Sequence, residues 1–248
     1  MRNAKAVFIK QVQSLLKNPV MLIQAALFLV LVIVMSFFLR HDSAYDCESC
    51  IPAYVCTHCL EENASSNIPN PSLAGLFAVM FVGLALVGSS SALVFEDKTT
   101  KNLRFMTMAG VKPHQYLAGT ATALFLFSCA VVLLYAVVGG YWGIETLQFV
   151  SVTAAGAIVS ILLGNAIGLS KAPGLAFPIS MVLGLGPTLS TFNDGLARWL
   201  RFTYTQQVRL AISDLGQDMS SSFLIIGING VVILLFFAWM HRKGELRW

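Results

Sequence analysis

A chain of 248 residues with 56% hydrophobic and only 11% charged side chains cannot cover a water-facing surface, for which about a quarter of residues are usually charged. Its mean hydropathy is +0.74, and its net charge of +4 is not gathered into one basic face. A soluble enzyme, a disordered chain and a nucleic-acid binder are excluded, and an all-α polytopic membrane protein is predicted.

The elements follow in chain order. Residues 2–17 place Ala4, Val7, Phe8, Val12, Leu15 and Leu16 at helical spacing, with Lys5, Lys10, Gln13 and Lys17 on the remaining face. This pattern predicts an amphipathic helix lying in the membrane interface, its lysines toward anionic headgroups; a basic flank that only sets topology is the alternative. Crossing ~30 Å of hydrocarbon takes about 20 apolar residues. Val20–Leu39 is an uncharged run of that length and is too long for a cleaved signal, so it is expected to stay as an anchor. Further uncharged runs are Leu73–Phe95, Tyr116–Trp142, Phe149–Ser170 and Phe223–Met240. Gly174–Phe192 is apolar but carries Pro178 and Pro187, which predicts a broken or kinked helix. Six transmembrane helices result, in one transmembrane domain covering 1–248.

Every charged side chain falls between these runs, as the cost of a mid-membrane charge requires. The gaps before span 1 and after spans 2, 4 and 6 hold twelve basic and three acidic residues. The other gaps hold Arg40, Arg198, Arg201 and Arg209 against nine acids. The positive-inside rule then predicts both termini in the cytoplasm of a multi-pass protein of the plasma membrane.

Three extramembrane pieces carry candidate sites. In the outer loop 40–71, Cys47, Cys50, Cys56 and Cys59 fall within 13 residues. Outside the cell they would oxidise to two disulfides; a tetrathiolate zinc site and a redox-active pair are the alternatives. In the inner loop 96–115, Thr99 or Thr100 can cap a short helix ending at Met108. Leu103, Phe105 and Met106 form an apolar edge on it beside Lys101 and Arg104, with Gly110 as the stop and Lys112-Pro113 starting the next element. Such a helix suits docking to a soluble partner or lying on the membrane surface. In the outer segment 193–220, Asn193 or Asp194 can cap one or two amphipathic helices, with Trp199, Phe202 and Tyr204 forming an outer gate or anchoring the interface. Within the spans, Gly164-Asn-Ala-Ile-Gly168 is a small-x-x-x-small pattern open to a subunit contact. Asn165 and Asn229 suit helix–helix hydrogen bonds, and Cys129 suits plain packing. No metal site is expected beyond the cysteine alternative.

The order of these features resembles the membrane subunits of ABC-2-type transporters. The resemblance rests on the basic N-terminal helix ending in Asn18-Pro19, on Glu96-Asp97 closing span 2 and on Leu103–Met108. It also rests on Gly110-Val-Lys-Pro113-His-Gln-Tyr116-Leu-Ala-Gly119 and on Phe202–Ile212 before span 6. The last segment lacks the proline common there, and the first outer loop is unusually long and cysteine-rich. The family implies a non-enzymatic permease subunit of an exporter for amphipathic, peptide, drug or lipid-like cargo. It implies a separate ABC ATPase that binds ATP and Mg, since the chain has no Gly-x-x-x-x-Gly-Lys-Ser/Thr loop of its own. It also implies a second permease, as homodimer or heterodimer, in a lipid bilayer. Glu96, Asp97, Lys101, Leu103, Arg104, Phe105 and Met106 would be the ATPase-coupling residues. The rival reading is a membrane sensor or assembly factor whose cysteine loop binds metal or partner thiols.

Overall fold

The computed structural model describes residues 7–13, 23, 26, 27, 29–34, 71–170, 172–215 and 219–242. The cysteine loop, most of the first predicted span and Lys243 lie outside these residues. Residues 29–34, within that span, are helical. Among the described residues all regular structure is helical, and four helices are long and apolar enough to cross a membrane: Leu73–Thr99, His114–Val138, Ile144–Leu169 and Ser220–Ala238. They correspond to predicted spans 2, 3, 4 and 6. The region of the fifth is shorter. A 3-10 turn at Pro173–Leu175 leads into a helix that ends at Leu189, with Pro187 inside its last turn.

The helices in chain order are α1 (Pro71–Met80) and α2 (Val87–Thr99), joined without a break by a π-helical stretch at Phe81–Leu86. The short α3 (Asn102–Met108) follows, then α4 (Pro113–Val138), α5 (Ile144–Leu169) and α6 (Ala176–Leu189). A pair, α7 (Asp194–Leu200) and α8 (Tyr204–Ser213), precedes α9 (Ser220–Arg242). Local chemistry sets most of these ends. Pro113 opens α4, where its missing N–H costs nothing. The run expected to continue to Trp142 stops at Val138, because Gly140 and Gly143 take φ of 71° and 65° and turn the chain into α5.

The core gathers around α5, which packs against α2, α4, α8 and α9. Phe81, Leu124, Tyr135 and Phe149 are among its largest buried side chains. Tyr141 stacks on Phe149 with ring centroids 4.6 Å apart. Helix approach is closest where side chains are smallest. A Cβ on Gly164 would lie 2.6 Å from the Val87 carbonyl, and one on Gly168 would lie 2.6 Å from that of Ser91. The Gly164–Gly168 pattern therefore serves contact between α5 and α2 of the same chain, not the subunit contact considered from sequence. Gly83 and Gly184 meet backbone to backbone in the same way, where the π-helical stretch crosses α6. An apolar 18-residue window of Leu73–Thr99 is 61% buried, against 11% for one of Ser220–Ala238. Of the four long apolar helices the former is the most buried and the latter the most exposed.

Candidate functional site

One end of the bundle is organised by a single carboxylate. Asp97, in the last turn of α2, is 7% exposed. Its Oδ1 accepts from Lys10 Nζ at 3.0 Å and Asn102 Nδ2 at 3.2 Å. Its Oδ2 accepts from Gln11 Nε2 at 2.9 Å and the Tyr116 hydroxyl at 2.8 Å. Four segments thus meet at one group: the helical residues 7–13, the end of α2, the start of α3 and the first turn of α4. Apolar packing under the node comes from Val7, Val94, Leu103, Tyr116 and Leu169, with Met106 and Phe237 at its edge. Next to it, Lys98 Nζ donates to the Leu169 and Ser170 carbonyls, both at 3.0 Å. A cation here satisfies the open C-terminal carbonyls of α5 and opposes its dipole.

The predicted coupling residues are brought to this end but do not form one surface. Leu103, 3% exposed, faces inward, and Met106, one turn on, packs against the same cluster. Phe105 is 65% exposed, and Met108, not among the residues singled out from sequence, is 68% exposed. The apolar edge expected from Leu103, Phe105 and Met106 is therefore split: one pair anchors α3 and the other, Phe105 with Met108, is presented outward. Glu96, Lys101 and Arg104 lie exposed around it. The expected cap also differs. The Thr99 and Thr100 hydroxyls donate backward to the Glu96 carbonyl at 3.0 and 2.8 Å, closing α2 instead of opening α3. Lys101, at φ 59°, makes the sharp break between them. Lys10, expected to point to headgroups, is taken by Asp97.

The other end holds an inserted hairpin. The Asn193 side chain caps α7 by accepting from the Leu196 N–H at 3.2 Å, as the sequence allows. The chain then runs inward along α7, turns at 201–203 and runs back along α8. Leu200, at the tip, abuts Gly186, while Val208 abuts Gly156 and Ile212 abuts Gly75 near the start of α1. The Phe202 carbonyl accepts from Asn229 Nδ2 at 2.9 Å. Asn229 is six residues into α9 from Phe223, or about 9 Å at 1.5 Å per residue. A helix break at that depth leaves carbonyls that lipid cannot satisfy, and the sequence supplies donors for each. Gln207 Nε2 donates to the Arg201 carbonyl, Asn229 serves Phe202, and the Thr203 N–H and hydroxyl serve Leu200 at 2.8 and 2.7 Å. Gln207 is buried for this reason, Gln206 is buried beside it, and their side-chain carbonyl oxygens accept from Ser222 at 3.1 Å and Ser190 at 3.0 Å respectively.

The predicted gate residues are likewise divided. Tyr204 is 2% exposed, and its hydroxyl lies 2.8 Å from that of Ser160 on α5. Trp199 and Phe202 lie on the outside, 85% and 72% exposed. Within Phe202–Ile212 the helix begins at Tyr204. Asn229 donates to the turn between α7 and α8 and to Ile225 of its own helix, not to a second helix, and among the described residues Asn165 Oδ1 is buried without a partner. Cys129 is unpaired. Among the described residues no group of three or more His, Cys, Asp or Glu side chains is placed to hold a metal. Sequence reasoning missed Gln11, Asn102 and Tyr116 at the node and Gln206 and Gln207 in the hairpin. For Gln11 and Gln206 the available signal was polarity between apolar neighbours four residues away on both sides; Asn102, Tyr116 and Gln207 carry no such signal. No protein-family model matches this chain, and no curated protein matches it.

Proposed function

We propose that this chain is the permease subunit of an ATP-driven exporter of the ABC-2 type, crossing the plasma membrane six times with both termini inside. A separate ATPase, holding ATP and Mg, would engage the Asp97 end from the cytoplasm. A second permease, identical or related, would complete the pathway for an amphipathic, peptide, drug or lipid-like cargo.

The observation that carries this reading is the outward pair Phe105 and Met108 on a short helix whose other face is locked down by Leu103. A loose surface helix would transmit little. This one is fixed through Asp97 to the ends of two apolar helices and to residues 7–13. A push on Phe105 and Met108 is thereby delivered to α2 and α4 together, which alternating access requires. An apolar pair in a partner groove supplies the affinity, while Lys101 and Arg104 beside it set orientation.

The test replaces Phe105 and Met108 together by Asp. Two carboxylates buried unpaired against an apolar groove would cost several kcal/mol, and about 1.4 kcal/mol is tenfold in affinity. The expected result is normal insertion and yield, with loss of the co-purifying ATPase and of transport-linked ATP turnover. Retention of both would overturn the proposal. Leu103→Asp is not a coupling test, because it disrupts the chain's own packing.

A further inference from the structure

The outer face of the inserted hairpin has a composition that neither the bundle's own packing nor a docked ATPase explains. Arg198 and Arg201 stand one helical turn apart, and Trp199 and Phe202 interleave with them on the same side. Leu200 alone turns inward, against Gly186. Phe192, 85% exposed, continues the aromatic surface. One carboxylate, Asp194, stands one turn before Arg198 on the same helix, so the two arginines outnumber the acids of this face. Both arginines sit near the tip, where the Phe202 carbonyl meets Asn229 about 9 Å along α9 from its first large apolar residue.

An arginine stays charged at any accessible pH, and a guanidinium left in hydrocarbon is strongly disfavoured. Two guanidinium groups against the one carboxylate of Asp194 leave this face net positive, and it calls for an anion. A second copy placed on it by two-fold symmetry would set like charges against each other, so it does not answer the need. An amphiphile with an anionic head does: the head fits two forked guanidinium donors, and its acyl chains fit the flanking aromatic rings. We propose that the Arg198–Arg201 face of the hairpin binds an anionic two-chain lipid of the surrounding bilayer, with its head drawn below the interface. This goes beyond the exporter reading and requires no ATPase, so either can fail without the other.

The test uses the full chain reconstituted in vesicles, with Trp142, Trp239 and Trp248 replaced by Phe so that Trp199 is the one indole. Its fluorescence is quenched by lipids brominated on their acyl chains, either phosphatidylglycerol or phosphatidylcholine, at equal mole fraction. The expected result is a preference for phosphatidylglycerol on the order of tenfold. It should be lost in Arg198→Gln/Arg201→Gln and retained in Arg198→Lys/Arg201→Lys. Equal quenching by the two lipids before any arginine is changed overturns the proposal. So does a preference that survives the double Gln change, or a Trp199 that neither lipid reaches because another protein surface covers it. The unmodified-arginine measurement decides even if the double Gln variant fails to fold.

Discussion

Replacing Asp97 by Asn isolates what the node contributes. The side chain keeps its size, but one oxygen becomes an NH2 group facing donors. If the remaining oxygen stays toward Lys10 and Asn102, the new amide meets Gln11 Nε2 and the Tyr116 hydroxyl, which now lie 2.9 and 2.8 Å from Oδ2. The tyrosine hydroxyl can rotate and the glutamine amide can flip, so both recover neutral bonds, but charge assistance is lost. Bonds to a charged group contribute about 1.5–3 kcal/mol, against about 1 for neutral ones. The Lys10 side chain is 42% exposed, so its ion pair is screened and contributes less than about 1 kcal/mol. The buried bonds dominate, and the net loss is about 2–3 kcal/mol. At 1.4 kcal/mol per decade, the undocked population of residues 7–13 should rise about a hundredfold. Val7 is 3% exposed against the node, which makes Val7→Cys the reporter in a background with Cys47, Cys50, Cys56, Cys59 and Cys129 replaced by Ser. Maleimide should label it about a hundred times faster once Asp97 is Asn. Ala157→Cys, buried in α5, should label no faster, which separates local release from global unfolding. Lys10→Met should accelerate Val7→Cys labelling less than about fivefold. If Asp97→Asn leaves Val7→Cys as protected as before, the carboxylate does not hold the N-terminal helix and the node has no mechanical role.

Gly168→Ala should destabilise the bundle by about 1–3 kcal/mol, because the added carbon would stand 2.6 Å from the Ser91 carbonyl and must push α5 from α2. Gly227→Ala, with open space around it, should be neutral or slightly stabilising through helix propensity, and denaturation in detergent compares the two. For orientation, a membrane-impermeant maleimide on intact cells should label Asp194→Cys and spare Lys101→Cys; labelling of Lys101→Cys would reverse the assignment of the Asp97 end to the cytoplasm.

The four long apolar helices were legible because uninterrupted runs of twenty-odd apolar residues have one solution in a bilayer. Their ends were legible only where a strong local signal existed, such as Pro113 after Lys112. The end at Val138 was missed because Gly139-Gly140-Tyr141-Trp142 is as free of charge as the helix it terminates. The short helix α3 was found from its spacing, but spacing cannot say which of two apolar pairs turns inward. That choice is made by Val7 and Leu169, far off in the chain, which supply the pocket for Leu103. The segment 193–220 reads from sequence as one or two amphipathic helices, an outer gate or an interfacial anchor. Its depth depends on long-range partners, Ser160 for Tyr204 and Asn229 for Phe202, that no local pattern announces. Its buried glutamines looked like ordinary surface residues until the carbonyls of the turn were counted.

The π-helical stretch at Phe81–Leu86 has a consequence for comparing this chain with others. A π turn holds one residue more than an α turn, and each residue advances a helix by about 100°. The residues that face the core before it, Ala74 and Ala78, and those after it, Leu93, Val94 and Asp97, therefore obey two heptad-like frames that disagree by one position. A homologue with a regular α-helix here would be one residue shorter. An ungapped alignment would then set its buried positions beside this chain's exposed ones, beginning either at Pro71 or at Val87. The gap belongs within 81–86, inside a hydrophobic segment where alignment conventions place gaps least readily.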